Sequence, residues 1–166
     1  TQKKAPMTIC ALIAAFERAV LATTVPISLR MYAWVQLVRA WGTLRFDDHR
    51  SMQPNNLRLL PTCLRATLTR TKTSGVGENV QRLQMVIHRS AYVGEPTWLD
   101  VGFKLWEAVP QGRDYCLGLP ATDMRTMRLI EARYADAAAM DHALLASLRT
   151  AASEPLFHVP SAIRFW

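Results

Sequence analysis

The chain has 166 residues, half of them hydrophobic and a fifth charged, with a formal net charge of +7. That suffices for one folded domain with a substantial core and excludes a disordered or low-complexity chain. The charge is unevenly spread: residues 1–99 carry 13 Lys or Arg against 5 Asp or Glu, while residues 100–166 carry 7 against 8, which points to a phosphate-rich partner for the first part. Three distant cysteines, Cys10, Cys63 and Cys116, provide neither a disulfide framework nor a CxxC metal pair and imply a reducing compartment. No apolar run approaches the ~20 residues that span a bilayer, so no membrane partner is expected.

In chain order, Thr8 is placed to cap a helix with apolar positions Ile9, Leu12, Ile13, Phe16 and Val20, a 3.6-residue pattern. Pro26 and Ser28 open a second helix through Met31, Trp34, Val35, Val38 and Trp41; Gly42 lies near its end and Arg45 follows within a turn. Pro54, Asn55 and Asn56 mark a turn before a short strand, Leu57–Leu60. From Leu64 to Thr69 the side chains alternate, with Leu64, Ala66 and Leu68 on one face and Arg65, Thr67 and Thr69 on the other. A polar turn at Ser74–Gly77 leads to a second alternating run, in which Leu83, Met85 and Ile87 oppose Arg82, Gln84, Val86 and His88. This predicts a β-hairpin with one apolar face and one mostly polar or basic face.

Thr97 is placed to cap a helix through Trp98, Leu99, Phe103 and Trp106, with Asp100 completing a capping-box-like start. Residues 110–122, punctuated by Pro110, Gly112, Gly118 and Pro120, read as a loop. Tyr134–Arg149 reads as a helix with Ala138, Leu145 and Leu148 inward, and Trp34, Trp41, Trp98 and Trp106 as core. The expected fold class is α+β, mostly helical with a small three-stranded antiparallel sheet, in a single domain.

Two stretches carry chemistry. In Gly42-Thr-Leu-Arg-Phe-Asp-Asp-His49, Arg45 leaves an apolar helix with Asp48 three positions on. A guanidinium fork grips two non-bridging oxygens of one phosphate, and Asp48 could orient that guanidinium. Equally, an arginine at a helix C-terminus suits the helix dipole and could pair with Asp47 or Asp48 without any ligand. In Thr69-Arg-Thr-Lys-Thr-Ser-Gly75, Lys72 falls at the tip of the predicted hairpin. A lysine there could protonate a leaving oxygen, helped by the neighbouring charge of Arg70, or simply be solvated. Thr71 and Thr73 could donate to phosphates. No Cys and His spacing suits a metal.

Taken together, these stretches resemble the catalytic domain of tyrosine recombinases, the phage-integrase family, and most of all the integrases of DIRS-type and Crypton-type mobile elements. The resemblance spans about Ser28 to Arg89, with the lysine 27 positions after the arginine. It implies an integrase-type core in which Arg45 binds the scissile phosphate, Asp48 supports it and Lys72 is the general acid. Arg65, Arg70, Thr71, Thr73 and Arg82 become DNA-backbone contacts. It implies duplex DNA as partner, self-association on DNA, no metal or nucleotide cofactor, and an intracellular, DNA-containing compartment, the nucleus if eukaryotic. The chain departs from the family beyond this point. None of His49, His88, His142 and His158 begins a His-x-x-Arg box, and Tyr32, Tyr92, Tyr115 and Tyr134 precede the expected nucleophile. The expectation is therefore a recombinase cut short before that box, inactive alone; the alternative is a non-catalytic DNA-binding module derived from a decayed integrase.

Overall fold

The two helical periodicities at the start of the chain form a packed pair, α1 (Ile9–Leu21) and α2 (Ile27–Trp41). In the computed structural model, which describes residues 9–45, 48, 52–68 and 82–151, α2 is the central element. Every residue from Met31 to Val38 is buried, as expected of a helix surrounded by other elements rather than floating on a surface. Its Trp34 is fully buried and donates its indole N–H to the Leu99 carbonyl at 3.1 Å. The Trp34 ring meets Phe103 edge-on at 6.1 Å and Trp106 at 5.8 Å. This brings α3 (Trp98–Glu107) onto α2. Gly102 makes the approach possible, because a Cβ there would lie 2.1 Å from Trp34 Cδ1.

A buried carboxylate fixes α1 to the segment leading into α3. Glu17 is inaccessible to solvent and accepts backbone N–H bonds from Val93, Gly94 and Glu95 at 2.9, 2.8 and 2.9 Å. Three donors replace the water that burial strips from the carboxylate.

A 3₁₀ turn at Pro54–Asn56 leads into β1 (Leu57–Leu59), which is followed by β2 (Cys63–Leu68) and β3 (Leu83–His88). They form an antiparallel sheet in the order β1-β2-β3. The predicted alternation holds: Leu57, Leu64, Ala66, Leu68, Met85 and Ile87 are buried in the core, while Arg58, Arg65, Gln84, Val86 and His88 are exposed. Leu83, expected inward, is 45% exposed at the end of β3. The turn residues predicted at Ser74–Gly77, and Thr8 and Thr69, lie outside the described residues.

Two local expectations are corrected. Part of the predicted loop at 110–122 is strand: β4 (Gly118–Pro120) pairs with β5 (Met127–Glu131) in a separate two-stranded sheet. No side chain of β5 is fully buried, so it carries no period-2 signal. Gly118 permits the pairing, since a Cβ there would lie 2.5 Å from the Arg128 carbonyl oxygen. Nor does Thr97 make a side-chain capping bond. Asp100 instead forms an ion pair with the Arg89 guanidinium, a stronger partner than the backbone N–H of a capping box. The last helix, α4 (Tyr134–Ala151), buries Leu145 and Leu148 as expected, with Ala138 half-buried. Trp34, Trp98 and Trp106 are core and Trp41 packs against it. Among the described residues no helix is long and apolar enough to cross a membrane.

Candidate nucleic-acid interface

Arg45 leaves α2 through a tightly bonded turn. The Leu44 N–H donates to the Arg39 carbonyl at 2.9 Å and the Thr43 N–H to the Ala40 carbonyl at 3.2 Å, the paired bonds of a Schellman motif. The residue that must turn left-handed in this motif is Thr43, with φ of 53°. Glycine ordinarily fills that position, because a β-branched side chain is strained there. Here the glycine stands one residue earlier. A Cβ on Gly42 would lie 2.7 Å from Met85 Sδ and 2.8 Å from the Val38 carbonyl oxygen, so the close approach of β3 claims the glycine and leaves the threonine to carry the strained conformation.

The turn is braced further by Arg39, whose Nε donates to the Leu44 carbonyl at 3.2 Å and whose other arm donates to Gln36 Oε1 at 3.3 Å. Gln36 in turn donates to the Tyr32 hydroxyl. That hydroxyl donates to Asp141 Oδ1 at 2.6 Å, with the Ala137 carbonyl 3.0 Å away. A buried polar chain therefore runs from α4 to the turn that presents Arg45. Burial dominates its electrostatics: it pushes the Asp141 carboxyl above the usual carboxylate range, against the bonds from Tyr32 and Gln36 and the charge of Arg39. Burial first, and the Asp141 charge second, also raise the Tyr32 hydroxyl. Burial lowers the Arg39 guanidinium.

The Arg45 side chain is exposed. The Asp48 carboxylate accepts the Arg45 backbone N–H at 3.1 Å. It thus closes the loop after the Schellman turn.

Lys72, Arg70, Thr71 and Thr73 lie outside the described residues. Arg82 is exposed just before β3. Arg65 is exposed at mid-strand, on the sheet face turned away from Met85 and hence from the last turn of α2. It is not grouped with Arg45. The sequence reading missed Arg58, which the register places directly opposite Arg65. Alternation along Leu57–Leu60 was the available signal, but it does not reveal the strand's register.

Tyr32 is buried in the core. The buried Cys116 thiol is pushed up to about 12 by its surroundings, so it is inert as a nucleophile at neutral pH. Among the described residues no group of three His, Cys, Asp or Glu side chains could hold a metal ion. No protein-family model, curated protein or solved structure matches the chain.

Proposed function

We propose that this chain binds duplex DNA as part of a tyrosine-recombinase-type catalytic domain, which cuts and rejoins DNA through a 3′-phosphotyrosine intermediate. The observation that carries the reading is where α2 ends. Its last turn is pressed on Met85 of β3, two residues from Leu83, at the end of the sheet where β2 and β3 meet the segment 69–81 that bears Lys72. An exposed arginine on a rigid turn and a lysine-bearing segment leaving the adjacent strand ends suit a single phosphate.

In this reading the Arg45 fork holds two non-bridging oxygens of the scissile phosphate and stabilises the charge that builds on them. Lys72 gives a proton to the 5′ oxygen as the P–O bond breaks. Arg65, Arg70, Thr71, Thr73 and Arg82 add backbone contacts that fix position without reading sequence. The nucleophilic tyrosine and second arginine are assigned to no residue of this chain. A second reading is a non-catalytic DNA-binding module derived from a decayed integrase; the basic excess of residues 1–99 supports DNA contact in both. Trapping a covalent adduct on a nicked suicide duplex, with the parent protein that would carry the nucleophilic tyrosine, separates the two.

The binding itself is tested by fluorescence anisotropy on a short duplex from ~50 to ~200 mM salt. The logarithm of the affinity should fall linearly with that of the salt concentration, and Arg45→Ala should flatten the slope by about one unit. A flat wild-type plot overturns the proposal.

A further inference from the structure

The register of the three-stranded sheet sets Arg58 directly opposite Arg65, and Arg65 directly opposite Val86. One row of side chains thus crosses the sheet on the face turned away from the core. All three are exposed, Val86 by 54%. The neighbouring rows on that face hold Thr67 and Gln84, bonded to each other at 3.1 Å, then Cys63 and His88, whose ring nitrogen meets Ser90 Oγ at 2.7 Å. None of these side chains is a carboxylate. Neither Arg58 nor Arg65 has a hydrogen-bond or ion-pair partner for its side chain among the described residues.

Like charges directly across two strands repel, with Cβ atoms only ~4.5–5.5 Å apart. Nothing in the packing requires guanidinium groups there, since both side chains are exposed. An anion between them would turn the repulsion into a shared attraction.

We propose that Arg58 and Arg65 form a second contact with the DNA backbone, at phosphates other than the one held by Arg45. The separation follows from the sheet: Met85, on which the Arg45 turn rests, faces the core, whereas the arginine pair faces outward. A three-stranded face is ~10 Å across, at ~4.8 Å between strands. Its strand residues carry two guanidinium groups and no carboxylate, with Glu107 of α3 lining the cleft on the Arg58 side; the face complements an extended line of phosphates, and the exposed Val86 offers apolar contact to a sugar. This inference rests on the DNA-binding reading above.

The test is an Arg58→Gln/Arg65→Gln double variant in the same anisotropy series, with Arg58→Lys/Arg65→Lys and Arg45→Ala as companions. The Gln variant should flatten the salt slope by about 1–2 units, and its loss should add to that of Arg45→Ala. The Lys variant should keep most of the slope. Thermal melting of the Gln variant should be unchanged or higher, because a repulsive pair has been removed. If the Gln variant binds with the wild-type slope while Arg45→Ala loses a unit, this second contact is overturned and the function stands. If the wild-type protein shows no salt-dependent binding at all, both fall together.

Discussion

Gly42 and Thr43 adjoin in one turn, yet substitutions there should act in opposite directions. Thr43 holds φ at 53°, which costs an L-residue ~1–2 kcal/mol. Glycine removes that strain but loses ~0.5–1 kcal/mol through its greater freedom when unfolded. Thr43→Gly should therefore stabilise by ~0.5–1 kcal/mol, or about 1–4 °C in melting temperature for a chain of this size. Gly42→Ala should destabilise by ~1–3 kcal/mol, because its Cβ would meet Met85 Sδ at 2.7 Å and the Val38 carbonyl oxygen at 2.8 Å. Part of that clash involves a flexible side-chain end, so Met85→Ala should recover part of the loss. A double-mutant cycle should give a favourable coupling of ~0.5–3 kcal/mol. Urea unfolding followed by circular dichroism reads all three variants. If Thr43→Gly lowers the melting temperature, or the Gly42 and Met85 changes are simply additive, the account of this turn is wrong.

Three further outcomes are expected. Burial raises the folded-state pKa of Asp141, so the folded protein holds that proton more tightly than the unfolded chain. Its contribution to stability is fullest below the ordinary carboxylate pKa of ~3.9 and is lost as pH rises through the raised folded value. The stability of wild type relative to Asp141→Asn should accordingly fall as pH rises from ~4; urea midpoints across pH measure it, and a gap that widens with pH contradicts the assignment. Glu17→Gln replaces one acceptor oxygen by a donor facing the N–H groups of Val93, Gly94 and Glu95. It should cost ~1.5–3 kcal/mol, visible as a lower urea midpoint, and a loss within ~0.5 kcal/mol, typical of a neutral surface change, would sink the clamp. In a restored full-length protein, Lys72→Ala should slow cleavage of an ordinary phosphodiester far more than of one with a 5′-bridging sulfur, whose leaving group needs no proton. Equal losses remove Lys72 from the acid role.

Much of the fold was legible because its signals are local and periodic. The 3.6-residue spacing in α1 and α2 and the alternation Leu64–Ala66–Leu68 against Arg65–Thr67 follow directly from which face is buried. What escaped was set by partners distant in sequence. Asp100 looked like half of a capping box until Arg89 claimed its carboxylate. The β4–β5 ribbon escaped because β4 is only three residues long and β5 has no fully buried residue to impose a pattern, with Leu129 and Ile130 both exposed in succession. The left-handed residue was hidden beside a glycine that seemed the obvious candidate, and only the contact between Gly42 and Met85 explains the exchange. In the candidate site, Arg45 and the apolar helix before it were readable. The Tyr32–Asp141 bond, between residues 109 apart, and the Arg58–Arg65 register were not, since no local pattern specifies them.

The most direct measurement asks whether Arg45 and Lys72 address the same phosphate. A set of duplexes, each with one backbone phosphate replaced by an uncharged methylphosphonate, would be titrated with wild type, Arg45→Ala and Lys72→Ala. At one position along the duplex, neutralising the phosphate should abolish the affinity loss of both variants, because the anion both cations contact is already gone. If the two variants are silenced at different phosphates, or at none, the guanidinium and the ammonium do not converge and the recombinase reading fails.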